Sequence, residues 1–311
     1  MLNEFELIER LKRKIPRKLQ GRYGIGDDAA VLDGPGPAKW LFTTDAMVEG
    51  VDFIRGKIAT EMAGRKALAM NLSDIAAMGS EPVAFVVTLG IPRNLKISWL
   101  EKFYEGMIRL AKKYKTSCVG GDITSAKQFF CSIALMGRAN PGTFITRAGA
   151  KAGDWIGVTG MLGGSILGRH FRFEPRIHEA RFLAREFRPN AMMDISDGLL
   201  QDLGHILKSS GVGARLDLDR IPVSRAAQKL SGGDQTKALK HALTDGEDFE
   251  LLFTVSPRLK NRLERAWKRR FLRLSLSWIG RIQPGKGKID CFRGKKSVPA
   301  PRFRKTGFSH F

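Results

Sequence analysis

The sequence predicts an α/β (α+β) protein built from two domains. Segments with the apolar period of strands alternate with segments with the period of helices along most of the chain. A length of 311 residues with 43% hydrophobic residues suffices for a large buried core and is typical of two domains. The clearest break is Asn140-Pro141-Gly142, which predicts domains at 1–139 and 140–311.

In the first half, apolar spacing predicts helices over 2–14, 60–78 and 98–114. Strands are predicted over 39–44, 82–91, 116–119 and 129–137. Gly79 is a stop signal for the second helix, whose residues are mostly small and apolar. Two of the strands run directly into polar segments, namely Thr43-Thr44-Asp45 and Gly120-Gly121-Asp122.

In the second half, a strand over 154–159 enters a glycine turn that a helix is expected to follow. A short strand over 191–195 precedes Ser196, a predicted N-cap for a helix reaching Leu207. Residues 246–255 are predicted as a turn and a strand. Gly280–Gly287 lacks the Ser or Thr that a P-loop requires after its Lys and is predicted to be a basic turn.

The net charge is +22, and its distribution is uneven. Residues 257–311 hold 17 Lys and Arg against 2 acids, or +15, which leaves +7 for the first 256 residues. The pattern favours a solvated basic face. Steering of anionic substrates, or adhesion to RNA or a membrane surface through this C-terminal stretch, stays open.

Three cysteines, Cys118, Cys131 and Cys291, form no CxxC pair and are typical of reduced thiols rather than a disulfide framework. No apolar run approaches the roughly 20 residues that a membrane-spanning helix needs. The first six residues are acidic and amphipathic, unlike a signal peptide. We therefore expect a cytoplasmic protein without a membrane partner.

Six aspartates share an unusual context, because each lies at a strand end, in a glycine turn or on an apolar helix. Carboxylates in apolar surroundings are unfavourable unless they are paired or bind a metal. Oxygen ligands without His or Cys favour Mg²⁺ over Zn²⁺, and Mg²⁺ held by carboxylates usually serves substrate phosphates. The six are Asp28, Asp45, Asp74, Asp122, Asp194 and Asp197.

Other features of the sequence favour the binding of a nucleotide. The run Asp194-Ile-Ser196-Asp197-Gly198 opens a helix, where backbone N–H groups can bind phosphate. Gly120-Gly121 permits close approach of the backbone to a ligand. The acidic segment 245–250 is as compatible with a ligand role as with a solvated turn.

Seven runs in register, along nearly the whole chain, resemble the thiamine-monophosphate kinase family, which belongs to the aminoimidazole ribonucleotide synthetase superfamily. The runs are GIGDDAAVL (24–32), TTDAMVEGVDF (43–53), KALAMNLSDIAAMG (66–79), GGDITSA (120–126), TRAGAKAGDWIGVTG (146–160), DISDGLLQDL (194–203) and DGEDFELLFTV (245–255).

The resemblance implies an N-terminal domain that dimerises through a shared β-barrel, a C-terminal α/β domain, and a cleft between them for ATP and substrate. The implied reaction is direct in-line transfer of a phosphoryl group from ATP to thiamine monophosphate, with Mg²⁺ required. Asp122, Asp197 and Arg147 are the expected catalytic residues.

The resemblance also implies three sets of ligand residues. The magnesium ligands would be Asp28, Thr43, Thr44, Asp45, Asp74, Asp122, Asp194 and Asp197. The ATP contacts would be Tyr104, Gly121, Asp122, Arg147 and Ser196. The thiamine phosphate contacts would be Asp52, where many members have His, together with Glu247 and Phe308.

Two alternatives remain. One is another ATP-using enzyme of the superfamily; the absence of a Cys near the N-terminus disfavours selenophosphate synthetase, and the DISDGL and DGEDFELLF runs disfavour aminoimidazole ribonucleotide synthetase. The other is a nucleic-acid-binding protein that uses the basic C-terminal stretch.

Overall fold

Two β-sheets organise the chain. The computed structural model describes residues 4–21, 23–34, 36–294 and 296–298. The first sheet has the strand order β1-β2-β5-β3-β4. Its strands are β1 (Ala30–Asp33), β2 (Lys39–Val48), β3 (Glu81–Ile91), β4 (Ser117–Ser125) and β5 (Phe130–Ala139), and it is accompanied by helices α1 (Glu4–Lys14), α2 (Thr60–Ala77) and α3 (Ile97–Tyr114).

The second sheet has the order β12-β11-β8-β10-β6-β9-β7. Its strands are β6 (Trp155–Thr159), β7 (Ala191–Asp194), β8 (Gly213–Asp217), β9 (Leu251–Val255), β10 (Leu276–Gln283), β11 (Ile289–Arg293) and β12 (Lys296–Val298). Its helices are α4 (Arg169–Arg172), α5 (Ile177–Glu186), α6 (Leu199–Ser210), α7 (Arg225–Leu230), α8 (Gln235–Thr244) and α9 (Pro257–Arg270). The predicted α/β class with two units is confirmed.

The first sheet is covered on one face only. Alternation along β2 turns Leu41 and Met47 into the core, where α2 packs, whereas Phe42 and Thr44 are exposed on the opposite face. The edge strand β4 is exposed along all nine residues. Among the described residues the sheet is open, and no closed barrel is formed.

Helix α2 joins the two units. It packs on β2, β5 and α3 of the first unit and on α4, α5 and β7 of the second. Because it is surrounded by protein, it is buried on most sides rather than along a single stripe. This explains why its sequence, GRKALAMNLSDIAA, consists largely of small residues.

Several local predictions need correction. Thr43, Thr44 and Asp45 lie inside β2, and Gly120-Gly121-Asp122 lies inside β4, because both strands continue past the polar residues. The helix expected after Gly164 is reduced to a 3-10 turn and the one-turn helix α4.

The predicted cap at Ser196 is also wrong. Helix α6 begins at Leu199 after Gly198, and Ser196 lies too early to cap it. The side chain of Asp202, from inside the helix, accepts hydrogen bonds from the N–H groups of Asp197 (3.2 Å) and Gly198 (3.0 Å). The carbonyl of Ser196 accepts instead from the N–H of Glu247 (2.6 Å).

The described part of the basic C-terminal stretch is folded, and Gly280 to Gln283 of the predicted basic turn lie in β10. Trp267 and Trp278, which interrupt the charges in the sequence, are buried in the core. The Lys260 ammonium lies 5.1 Å from the centre of the Trp155 ring. The cations therefore form a surface over buried aromatic residues, as the solvated-face interpretation predicts.

Helices α2 and α3 approach so closely that glycine is required at the contact. A Cβ atom at Gly106 of α3 would lie 1.8 Å from the carbonyl oxygen of Glu61 in α2. We expect Gly106→Ala to lower the free energy of unfolding by about 1–3 kcal/mol, because the helices must move apart. Chemical denaturation monitored by circular dichroism measures this change.

Gly204 of α6 is the matched control, since a Cβ atom there would meet nothing within 4 Å. Gly204→Ala should leave stability unchanged or raise it by about 0.5–1 kcal/mol through helix propensity. Equal losses in both variants would contradict the steric account of the α2–α3 contact.

Candidate active site

Three carboxylates converge where the two units meet. Asp28 comes from the glycine turn before β1, Asp74 from α2 and Asp194 from the end of β7. One oxygen from each lies within 4.8 Å of the others. The Asp28 side chain is 1% exposed, and its Oδ2 has no hydrogen-bond partner among the described residues. A buried carboxylate oxygen without a partner is a strong reason to expect a cation.

Neighbouring side chains orient these carboxylates. The Thr43 hydroxyl donates a hydrogen bond to Asp74, and the Ser73 hydroxyl donates one to Asp194. The N–H of Asp45 donates to Asn71 Oδ1 at 3.2 Å, which ties β2 to α2 beside the cluster. The arrangement makes the group rigid before any ligand binds.

Burial and mutual repulsion change the acidity of the group. Desolvation, followed by the charges of Asp45, Asp194 and Asp28, holds the pKa of Asp74 well above its usual value. Desolvation and the charge of Asp28 raise the pKa of Asp194 to about 7, and desolvation and Asp52 raise that of Asp45 to about 6. The group therefore gains electrostatically from a divalent ion, and its oxygen-only donors fit Mg²⁺.

Arg147 borders the cluster. Its guanidinium donates to Asp28 Oδ1 at 2.7 Å, and its backbone N–H donates to Asp27 Oδ1 at 2.7 Å. Desolvation raises the pKa of Asp27 to about 6. Arg147 thus provides a fixed positive charge next to the carboxylates, as a residue that binds a polyphosphate must.

A second acidic group lies at the start of α6. Asp197, Asp202 and His205 each offer one ligand atom within 4.8 Å of the others. Burial raises the pKa of Asp202 well above its usual value and lowers that of His205 to about 4. Sequence reasoning found Asp197 but missed Asp202, whose signal is an acid within the apolar run of α6.

Asp52 and Glu247, two of the residues predicted to contact thiamine phosphate, both contact Lys66, which the sequence analysis did not single out. Lys66 of α2 is fully buried and forms an ion pair with Glu247. Its Nζ also donates to the carbonyl of Asp52 at 3.4 Å, whereas the Asp52 carboxylate accepts from the N–H of Val48 at 2.7 Å. Phe308 lies outside the described residues.

A buried ionic network supports the loop that carries Glu247. Glu250 is fully buried and accepts from Arg176 Nε (2.8 Å), Arg176 Nη2 (2.6 Å) and Thr159 Oγ1 (2.6 Å). Asp248, also buried, accepts from the N–H of Gly163 at 2.7 Å. These pairings satisfy both oxygens of Glu250, whereas Asp248 Oδ1 has only the Arg169 guanidinium nearby, at 3.7 Å, and Glu247 faces the junction.

Other predicted residues lie away from the cluster. Thr44 is on the open face of the first sheet, with its hydroxyl 3.5 Å from Ser132 Oγ. Asp122 is exposed on β4, and the register Asp122–Thr88–Ser132–Ala46 places it three strands from β2, or about 14 Å at the usual strand spacing. Gly121 is on the same edge, and Tyr104 is half-buried on α3.

Most of the chain is similar in sequence to known proteins. Residues 26–139 match the family described as AIR synthase related protein, N-terminal domain, and residues 144–289 match its C-terminal domain. The chain is 40% identical over 253 residues to a thiamine-monophosphate kinase of Rhodopirellula baltica, with 79% of this chain and 78% of the relative covered. It is 38% identical over 274 residues to the enzyme of that name from Escherichia coli, with 81% and 82% covered.

A solved structure described as AaThiL complexed with AMPPCP and TMP matches with a TM-score of 0.83 and 32% identity, covering 100% of this chain and 97% of that one. The kinase structure from Stenotrophomonas maltophilia matches with a TM-score of 0.74 and 33% identity, covering 93% and 96%.

The two family models together span most of the chain, so its two α/β units belong to the AIR synthase related class of proteins. Within that class, the matches extend over most of the chain and of its relatives at 33–40% identity. The chain belongs to the thiamine-monophosphate kinase family, which confirms the resemblance in the seven sequence runs.

The carboxylate cluster predicts a specific dependence of stability on pH. The pKa of Asp194 is about 7 in the folded protein against an ordinary value of 3.8. The stabilising contribution of its proton is therefore complete below the ordinary pKa and is lost as pH rises towards 7. In metal-free wild-type protein we expect the thermal midpoint to fall over this window, and Asp194→Asn should flatten the fall.

Differential scanning fluorimetry in a chelator measures both pH profiles. Above pH 7, added Mg²⁺ should raise the midpoint of the wild type more than that of the variant, since a bound ion stabilises the folded state. Identical pH profiles and identical responses to Mg²⁺ would contradict the assigned role of Asp194.

Proposed function

We propose that this chain transfers a phosphoryl group from ATP to thiamine monophosphate, with Mg²⁺ required, in a direct in-line reaction. The observation that carries the proposal is the convergence of Asp28, Asp74 and Asp194 at the junction of the two units. Similarity over the whole chain to a structure that contains AMPPCP and TMP supports the choice of substrates.

Phosphoryl transfer needs positioning and charge neutralisation more than covalent chemistry. Asp28, Asp74 and Asp194 would hold Mg²⁺, with Asp45 and the Thr43 hydroxyl beside them and Asp197 on the α6 side. When bound, Mg²⁺ neutralises the negative charge of the triphosphate. Arg147, whose guanidinium lies beside Asp28, would bind and orient polyphosphate oxygens, and Ser196, two residues after Asp194, would contact ATP.

The acceptor would bind on the side of α2 that bears Lys66. Glu247 offers a carboxylate to the cationic ring of thiamine monophosphate, and Asp52 lies beside it. Phe308 remains a predicted contact from the sequence alone. The two domains proposed, 1–139 and 140–311, would enclose this site along α2.

Asp122 and Gly121 were predicted to bind ligands, but within a single chain they lie away from the carboxylate cluster. Their role therefore requires a separate proposal. A Cβ atom at Gly121 would lie 2.0 Å from the carbonyl oxygen of Val87, so β3–β4 pairing alone requires glycine there. We propose a homodimer that covers the exposed β4 edge and the open sheet face. In such a dimer Asp122, Thr44 and Tyr104 would lie close to the partner.

None of the helices that the structure describes is both long and apolar enough to span a bilayer. A nucleic-acid role for the basic stretch is not part of the proposal, because none of its described aromatic rings is fully exposed for stacking on bases: Trp267 and Trp278 are buried, and Phe271 and Phe292 are half-buried.

The function is tested with purified protein, Mg-ATP and thiamine monophosphate in a coupled ADP assay, with thiamine and aminoimidazole precursors as competing acceptors. We expect Asp74→Asn to lower turnover by about a hundredfold or more, because the cation loses a carboxylate at the reacting phosphates. Its thermal midpoint should not fall, since Asn removes a buried charge.

Asp33→Asn is the matched control, because Asp33 is exposed and pairs with Lys39 at the far end of β1. It should retain wild-type turnover. Formation of no thiamine diphosphate by the wild type would defeat the proposed function, and near-normal turnover by Asp74→Asn would defeat the metal assignment.

The dimer proposal predicts that a charge on the β4 edge produces monomers. Ile123 is 69% exposed on β4, and lysine on an edge strand opposes edge-to-edge association. We expect Ile123→Lys to shift the sedimentation coefficient from that of a dimer to that of a monomer.

Leu272, which is 85% exposed in the turn after α9, provides the control substitution Leu272→Lys, which should leave the dimer intact. A monomeric wild-type protein, or a dimer that tolerates Ile123→Lys, would overturn the assignment of this interface.

A further inference from the structure

Lys66 is the least expected residue of the junction. It lies in the middle of α2 with a fully buried side chain, among residues that are mostly small and apolar. A buried ammonium is unfavourable unless it is paired and hydrogen-bonded. Its retention in the core therefore calls for an explanation in terms of what it contacts.

The contacts of Lys66 all lie on the acceptor side. The ammonium pairs with the Glu247 carboxylate, donates to the carbonyl of Asp52 and lies 5.0 Å from the centre of the Phe171 ring. The Glu247 side chain is 34% exposed, so its carboxylate joins the buried ammonium to the open side of the junction.

The loop that presents Glu247 is held in an uncommon conformation. Glu247 has φ of 62° and Phe249 has φ of 49°, in the left-handed region that non-glycine residues seldom adopt. The N–H of Glu247 and that of Phe249 donate to the carbonyls of Ser196 (2.6 Å) and Ile195 (2.7 Å). Backbone strain sustained by its surroundings is typical of functional segments.

The Lys66–Glu247 pair and the carboxylate cluster are separated along α2. Eight residues separate Lys66 from Asp74, which corresponds to about 12 Å of helix at 1.5 Å per residue. The C-terminal part of α2 therefore carries Asp74 of the carboxylate cluster, and the Lys66–Glu247 pair lies about two turns earlier in the same helix. A molecule with a phosphate at one end and a cationic ring at the other can contact both.

We propose that Lys66 is a positioning residue for the acceptor, which acts by holding one oxygen of Glu247 so that the other faces the cationic ring. The inference rests on the proposed function. The ion pair holds the carboxylate in a single orientation before the substrate arrives, which lowers the ordering cost of binding. Lys66 itself need not touch the substrate.

The test compares Lys66→Met, Glu247→Gln and the double variant by their KM values for thiamine monophosphate and for ATP. Lys66→Met should raise KM for thiamine monophosphate by about tenfold, as expected for the loss of one oriented charged contact. KM for ATP should stay within about twofold, because the effect concerns only acceptor binding.

The double variant separates positioning from a structural role. If Lys66 acts through Glu247, Lys66→Met adds no further rise in KM once Glu247→Gln is present. The double variant leaves no unpaired charge, so its KM values for thiamine monophosphate and ATP can be compared with those of the wild type even where a single variant does not fold.

Arg65, the neighbouring residue of α2, is the control. It joins the same two units through Glu174, at 3.0 Å, and the carbonyl of Phe171, at 3.2 Å. Arg65→Met should lower the thermal midpoint without a selective change in KM for the acceptor.

Equal rises in both KM values, or additive losses in the double variant, would overturn the inference while leaving the proposed function in place. A wild type that forms no thiamine diphosphate would instead overturn the proposed function, and the inference with it.

Discussion

The mutual repulsion of three buried carboxylates is the constraint on which the rest of the molecule depends. Asp28, Asp74 and Asp194 come from a turn, a helix and a strand of two different units, so the cluster exists only while the units are joined. Burial, followed by this mutual repulsion, raises the pKa values of Asp74 and Asp194. A bound divalent cation would relieve this repulsion, and the hydroxyls of Thr43 and Ser73 donate hydrogen bonds that orient the carboxylates of Asp74 and Asp194.

Helix α2 joins the two units and thereby allows the three carboxylates to come together. It is buried by both units, and its close contact with α3 at Gly64 and Gly106 leaves little freedom to shift. The same helix carries Lys66 and Asp74, eight residues apart. In the proposed function, this one packed helix would set the distance between the sites for the two ends of the acceptor.

The first sheet divides its polar residues between two faces. Thr43 and Asp45 face α2 and the cluster, whereas Thr44 faces the open side. Asp122 also belongs to the open side, because its row in the sheet runs through Thr88 and Ser132. This division means that one chain supplies only part of the predicted ligand set at the cluster, and it is the reason a second copy enters the proposal.

The sequence by itself determined the α/β class, the family and the chemical type of the site, because these depend on local periodicity and on acids placed in apolar or glycine-rich segments. Helix α2 and most strands of the first unit were predictable to within a few residues for the same reason. Only the tertiary structure decided which acids meet. Side-chain alternation along β2 and the register of β4 turned Thr44 and Asp122 away, and packing brought Lys66 to Glu247 across 181 positions of sequence. Such pairings depend on long-range contacts between units, and no spacing in the sequence encodes them directly.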